Sequence, residues 1–372
     1  MGLFNNKKKT GSLTASAVQT SVKSKHPYLE LSSGFPLNSR SKMYLELRRA
    51  VPIVDAAINK IIRLTEGFHF ECGSDAVDKQ INGFFENVNV GGNQQGISAF
   101  VSNYLNQLLT FGTAIGEIIL SSGGIYALYN SELETIELKR RENGIDVDFY
   151  NYNEKIQNPQ LILYSVLNPK PSDLCGTSLL EGLPFISEIL LKIYNTIGEN
   201  WEHAGNVRYA VVCKPTGDSV DGIDAKERAN AVAEAWQDAM SSSNVKDFVA
   251  VGDVSVQVIG ADNAILDSEI PVRQLLEQIV AKTGLPPFML GLSWSSTERM
   301  STQQADILTT ELESYRRILT PVIKKIGNMY LAVNGINADL NVVWDDITLQ
   351  DECDNSKAQL YIAQAEKLRR ED

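Results

Sequence analysis

Two pairs of carboxylates are the first residues here whose types and spacing suggest chemistry. Asp345 and Asp346 follow Trp344 directly, and carboxylate oxygens are what a divalent ion takes. Adjacent residues on a strand point to opposite faces, however, so one ion cannot draw on both, and the pair reads as a solvated strand end. Asp146 and Asp148 share a face, but no third ligand lies near them in sequence. His26, His69 and His203 have no His or Cys partner at ligand spacing, which argues against zinc. The four cysteines, Cys72, Cys175, Cys213 and Cys353, are far apart and form no CxxC pair, which suggests a reducing compartment and no disulfide framework. No GxxxxGK[ST] phosphate loop is present. No GxSxG elbow is present either, since Gly291-Leu292-Ser293-Trp294-Ser295 lacks the second glycine. The expectation is a chain with no catalytic residues, no metal and no cofactor.

The other candidates are contact residues. Ser293-Trp294-Ser295-Ser296-Thr297-Glu298-Arg299 is polar and rich in hydroxyls. Trp294 has two readings, a base-stacking platform or an aromatic that anchors its loop to a neighbouring helix or subunit. Arg316 and Arg317 suit phosphates, or ion pairs with residues such as Glu313. His203 closes a helix, where a cation complements the dipole. The formal net charge is −12 over 372 residues. A protein that grips nucleic acid by its phosphates shows a basic face, so any contact with DNA should be loose.

These residues need elements to hold them. Residues 271–283 carry Val272, Leu275, Leu276, Ile279 and Val280 at helical spacing. Gly284 can end that helix, and Pro286-Pro287 keeps it from continuing, so Gly284, Pro286, Pro287 and Gly291 read as a hinge. Residues 303–333 repeat the helical pattern over a longer span, with Pro321 predicting a kink. Upstream, 42–66 and 95–111 read as helices. Ala114–Leu120 and Ile125–Tyr129 read as a hairpin, Leu133–Leu138 and Ile145–Tyr150 as a second hairpin turning at Asn143-Gly144, and Leu161–Leu167 as a strand. After Pro169-Lys170-Pro171 comes a long helix, Leu183–His203. A small module follows: strand 209–213, helix 225–240, and strands 248–251 and 254–259. Leu340–Trp344 is a strand that can return to the first domain's sheet. Residues 1–40 show no sustained period and read as a mobile arm, and 355–372 as a charged helix. The amino terminus lacks a secretory h-region and a myristoylation pattern. No run of apolar residues is long enough for a membrane span. The fold class expected is α+β, with a small insert carried on a pair of helices.

The order of parts from about residue 45 to 345 resembles the portal proteins of tailed bacteriophages and prophages. The matching pieces are Arg49-Ala50-Val51-Pro52-Ile53-Val54-Asp55-Ala56-Ala57-Ile58, Phe111-Gly112-Thr113-Ala114, Gly176-Thr177-Ser178-Leu179-Leu180-Glu181-Gly182-Leu183 and Gly284-Leu285-Pro286-Pro287-Phe288-Met289-Leu290-Gly291. The resemblance implies an arm (1–40), a mixed α/β wing (41–175), a first stem helix (176–204), a clip (205–262), a second stem helix (263–290), a tunnel loop (291–302), a long kinked helix with a return strand (303–348) and a minimal crown (349–372). It implies a ring, usually of twelve subunits, at one capsid vertex. Double-stranded DNA would pass non-specifically through its channel in packaging and ejection. Trp294, Ser295, Ser296, Thr297, Glu298 and Arg299 would face that DNA. Implied partners are the terminase large subunit, head-completion or adaptor proteins, and major capsid and scaffold proteins, with no membrane. Implied locations are the virion, and the host cytoplasm during assembly. Two rival readings are a portal-like connector of a tail-like or gene-transfer particle and an α+β enzyme.

Overall fold

The computed structural model describes residues 37–121, 124–151, 154–171, 173–205, 208–213, 230, 254–259, 268–292 and 298–347. Its first helical stretch is two helices rather than the single one expected over 42–66. Leu37–Ala50 (α1) and Pro52–Thr65 (α2) meet at Val51, whose backbone is extended with φ −120° and ψ 91°. Proline disfavours helical backbone at the residue before it and suits the first helical position, so Pro52 ends one helix and starts the next. The break lets both apolar stripes turn inward, and Leu47, Val54, Ile58 and Ile61 are buried.

The next elements have no counterpart in the sequence reading. They are Phe68–Glu71 (β1), Asp75–Asn87 (α3), Asn89–Val90 (β2) and Gln94–Gln95 (β3). Helix α3 buries Ile81 and Phe85. Ile97–Phe111 (α4) then leads into Thr113–Ser121 (β4) and Gly124–Asn130 (β5), close to the expected bounds.

Ile136–Arg140 (β6), Val147–Asn151 (β7) and Glu154–Lys155 (β8) form a three-stranded antiparallel sheet. Ile162–Val166 (β9) completes a five-stranded sheet of order β3-β2-β5-β4-β9, parallel only between β2 and β5. The strand period of two decides what covers each face. Ala114, Ile118 and Leu128 join the main core beneath α4, whereas Ile115 packs with Ile162 and with Phe149 of β7 on the opposite face. The helices and the three-stranded sheet therefore sandwich the five-stranded one.

Leu183–Gly205 (α5), Arg208–Cys213 (β10), Val254–Ile259 (β11) and Glu269–Thr283 (α6) follow. Strands β10 and β11 pair antiparallel, from Arg208 opposite Ile259 to Cys213 opposite Val254. The expected helix 225–240 (residue 230 apart), strand 248–251, C-terminal helix 355–372 and most of the arm 1–40 lie outside the described residues.

Glu298–Val333 (α7) is longer than the 303–333 expected and contains Pro321. Leu308, Leu312, Leu319, Ile323, Ile326 and Tyr330 give α7 a continuous buried face, while Pro321 is exposed. Proline cannot donate to the Arg317 carbonyl four residues back. Arg317 is exposed as well, which leaves that carbonyl on the side open to water. Asn341–Trp344 (β12) does return to the first domain, as expected. It pairs with β1, Phe68 opposite Trp344, as a separate ribbon and does not join the larger sheet.

Candidate functional site

The base of α5 is fixed by a close backbone contact between two glycines. A Cβ on Gly176 would lie 2.1 Å from the Gly112 carbonyl oxygen and 2.4 Å from that of Leu167, so no other residue fits there. The contact sits inside a set of hydrogen bonds. The Leu167 N–H donates to the Gly112 carbonyl (2.8 Å) and the Thr177 N–H to the Leu167 carbonyl (2.7 Å). The Ser178 hydroxyl donates to the Thr110 carbonyl (2.6 Å). Phe111-Gly112-Thr113 and Gly176-Thr177-Ser178, far apart in sequence, are thus two halves of one joint between the ends of α4 and β9 and the segment that leads into α5.

From that joint α5 and α6 run out and back as a packed pair. Their bases belong to the main core, through Leu183 and Leu190 of α5 and Ile279 of α6. One apolar stripe runs the length of α5, because Leu183, Leu190, Tyr194, Ile197 and Trp201 fall close together at 100° per residue. Burial along the stripe fades outward. Leu183 and Leu190 are 2% and 1% exposed, whereas Tyr194 and Trp201 are 46% and 64% exposed. On α6 the outer residue Ile270 is also exposed. The pair is a projection whose outer half carries apolar side chains that the described residues leave uncovered.

Gly284 ends α6 in the left-handed region (φ 70°), its N–H bonded to the Val280 carbonyl. Leu285 is then buried in the main core, and Pro286 beside it is buried as well. Pro287–Leu290 forms one 3-10 turn, closed by Gly291 at φ 76°. Gly284, Pro286, Pro287 and Gly291 therefore make an elbow anchored by its middle, with the exposed Phe288 on its outer side. Trp294, Ser295, Ser296 and Thr297 lie outside the described residues. Glu298 and Arg299, expected in a loop over 291–302, open α7 instead. The helical pattern reaches that far back because 298–302 contains neither glycine nor proline.

Two of the charged candidates, Arg316 and Asp148, are held in structural contacts, whereas Arg317 is exposed. Arg316, expected to meet phosphate or a carboxylate such as Glu313, is buried. It donates to three carbonyls: Asp345 (2.6 Å), Thr65 (3.3 Å) and Glu66 (3.3 Å). Its guanidinium stacks on Trp344, 5.0 Å from the ring centre. Burial pushes its pKa down from the ordinary value. Asp148 accepts from Lys155 (2.5 Å) and Arg141 (2.6 Å), and these bonds hold its carboxyl below the usual carboxylate range. Asp345 faces His69 across 3.7 Å. Among the described residues no cluster of His, Cys, Asp and Glu could hold a metal ion, and no helix is long and apolar enough to cross a membrane. His203 lies in the last turn of α5.

No family model and no curated protein sequence matches the chain. Solved structures do. A chain in the virion of a native gene transfer agent (GTA) particle superposes with a TM-score of 0.60 at 14% identity, over 87% of this chain and 89% of that one. A chain in the neck of the native GTA particle, computed with C12 symmetry, gives 0.58 at 15% identity, over 86% and 88%. An HK97 family phage portal protein from Corynebacterium diphtheriae reaches 0.42 at 12% identity, over 81% and 94%, a likeness too slight to assign a fold. Over nearly nine-tenths of its length the chain therefore shares the fold of chains found in the gene transfer agent virion and neck.

Proposed function

We propose that the chain is a portal subunit. Copies close into a ring at one vertex of a capsid, and double-stranded DNA passes through the channel without sequence-specific contact. The observation that carries this reading is the apolar stripe of α5, which runs past the end of the core to Trp201 with no described residue covering it. A second copy beside the first would bury it, and rings arise when unlike flanks of identical chains meet. The C12 symmetry of the similar neck supports a ring of twelve. Residues 294–297, between the elbow and α7, and Glu298 and Arg299, which open α7, would line the channel. The net charge of −12 suits a wall along which DNA slides and is not gripped. In the same reading the β10–β11 end docks the terminase large subunit and later head-completion or adaptor proteins, the outer body meets capsid and scaffold proteins, and the chain itself has no turnover.

Negative-stain microscopy of the purified protein tests the class, with mass photometry alongside. Rings with a central hole, near 490 kDa for about twelve copies of the 41.1 kDa chain, are expected. A compact monomer or dimer with metal-dependent activity would overturn the proposal in favour of an enzyme. Replacing 294–299 by Gly-Ser repeats should leave the rings intact and lower the DNA content of assembled particles. The likeness to GTA chains favours one second reading, a connector of a gene-transfer particle. Sequencing the packaged DNA separates the two: a viral genome fits the first, and little or none of one fits the second.

A further inference from the structure

The subunit carries two unlike surfaces on opposite sides of its five-stranded sheet. One is a cleft of about 940 Å³ between α1, α2 and α4. Its apolar lining comes from Leu45, Pro52, Ala56 and Phe111. At one side Arg48 is satisfied by Asp55, Asn106 and Thr110. Among the described residues Arg49 pairs only with Glu46, three residues back. Lys60 and Arg63 are exposed at the cleft and have no carboxylate partner among the described residues. Residues 37–66 hold six cations against three carboxylates, in a chain whose overall charge is −12.

The other surface is the β6–β7 hairpin, on the side of the sheet away from α4. The hairpin, residues 136–151, holds four carboxylates (Glu137, Glu142, Asp146 and Asp148) against three cations (Lys139, Arg140 and Arg141). At the tip Ile145 is 83% exposed. The turn beneath it is firmly set. Asn143 Oδ1 accepts from the Ile145 and Asp146 N–H groups (3.1 and 3.0 Å), the Gly144 N–H donates to the Arg141 carbonyl (2.9 Å), and the Arg141 N–H donates to that of Asp146 (2.9 Å). An apolar side chain held out on a rigid turn loses little freedom on binding, which favours a receptor for it.

We propose that the β6–β7 tip of one copy seats in the α1–α2–α4 cleft of the next. Ile145 packs against the apolar lining and Glu142 meets Lys60 and Arg63 at the rim. The pairing joins a net-negative hairpin to a net-positive helix pair. The two surfaces lie on opposite flanks, as a head-to-tail closed ring requires. The cleft has the volume of a small-ligand pocket, several times that of one side chain, so the turn around Ile145 enters it together with that residue. The inference rests on the ring reading above.

Disulfide trapping in the full chain tests it, with exposed Cys175 replaced by serine throughout. Ile145→Cys with Ala56→Cys should give, on mild oxidation, a ladder of linked oligomers on a non-reducing gel, and neither single variant should. Ile145→Asp should lower the ring population about tenfold at fixed concentration, with the thermal melt of the subunit unchanged. Glu142→Lys should do likewise, and adding Lys60→Glu should restore it. Rings without a ladder and indifferent to Ile145→Asp overturn this contact and leave the ring reading standing. A ladder without closed rings supports the contact and overturns the ring. Neither rings nor ladder overturns both.

Discussion

Arg316→Met should loosen the β1–β12 ribbon without unfolding the subunit. The guanidinium bridges the end of α2, through the Thr65 and Glu66 carbonyls, to the end of β12, through that of Asp345. Each bond from a charged donor stabilises by about 1.5–3 kcal/mol when measured by deletion. Two effects offset the sum. Methionine avoids burying a cation that burial already disfavours, and the Asp345 carbonyl, beside an exposed residue, can turn to water. The buried Thr65 carbonyl cannot do so as easily. Loss of the stacking on Trp344 costs about 1 kcal/mol more. The net is a local loss of about 3 kcal/mol, or roughly 100-fold faster amide exchange. Hydrogen–deuterium exchange of residues 68–71 and 341–344 is the assay. Arg316→Lys should lose nearly as much, because one ammonium cannot span three carbonyls. Exchange within about fivefold of the parent, together with weakened binding of the ring to DNA, would refute the argument and return Arg316 to the phosphate-reading role.

Gly176→Ala should cost about 3 kcal/mol or more in urea unfolding at fixed protein concentration, since three backbone groups would have to move, whereas Gly83→Ala, whose added methyl meets nothing within 4 Å, should raise stability by about 0.5–1 kcal/mol. Asp148 has a depressed carboxyl pKa, so its contribution is full above the ordinary value of 3.8 and fades as pH falls through the lower folded value. Asp148→Asn should flatten that acid limb in a melting series from pH 5 to about pH 2. Lys325 donates to the Ile162 carbonyl (2.6 Å) and burial lowers its pKa. The fold therefore disfavours its charge, and stability should rise as pH climbs through the lowered value toward 10.5. Lys325→Met should abolish that rise.

The elements legible in the sequence were those with a sustained period and clear punctuation. α5, α6, α7, both hairpins and β9 fall within a few residues of expectation, because stripes such as Leu308–Leu312–Leu319 and turns such as Asn143-Gly144 are local signals. The stretch 68–95 was not legible. Its strands are two to four residues long, and β1 exists only because β12 arrives from residues 341–344 to pair with it. The split at Val51 was missed because an intact apolar period masks a break that one proline imposes. The joint between Gly112 and Gly176 reads in the sequence as two separate motifs, since nothing local in either says what its missing side chain makes room for. Arg316 looked like a surface cation because its partners are carbonyls, which leave no mark in sequence. Of the candidate site, the elbow was readable from its glycines and prolines, but its anchoring by buried Leu285 was not.

The glycine joint also decides how the projection carries load. Helix α5 has 23 residues, so a push at its outer end acts through an arm of roughly 35 Å. Side-chain packing alone would let such an arm creep under torque. Here the segment that leads into α5 is held main chain against main chain, residues 176–178 bonded to peptide groups at the ends of α4 and β9, so that segment yields only by breaking several bonds at once. Tilting the arm must drag strand β9, and the sheet with it. Motion at the outer end is thus transmitted to the body as rotation of a nearly rigid piece.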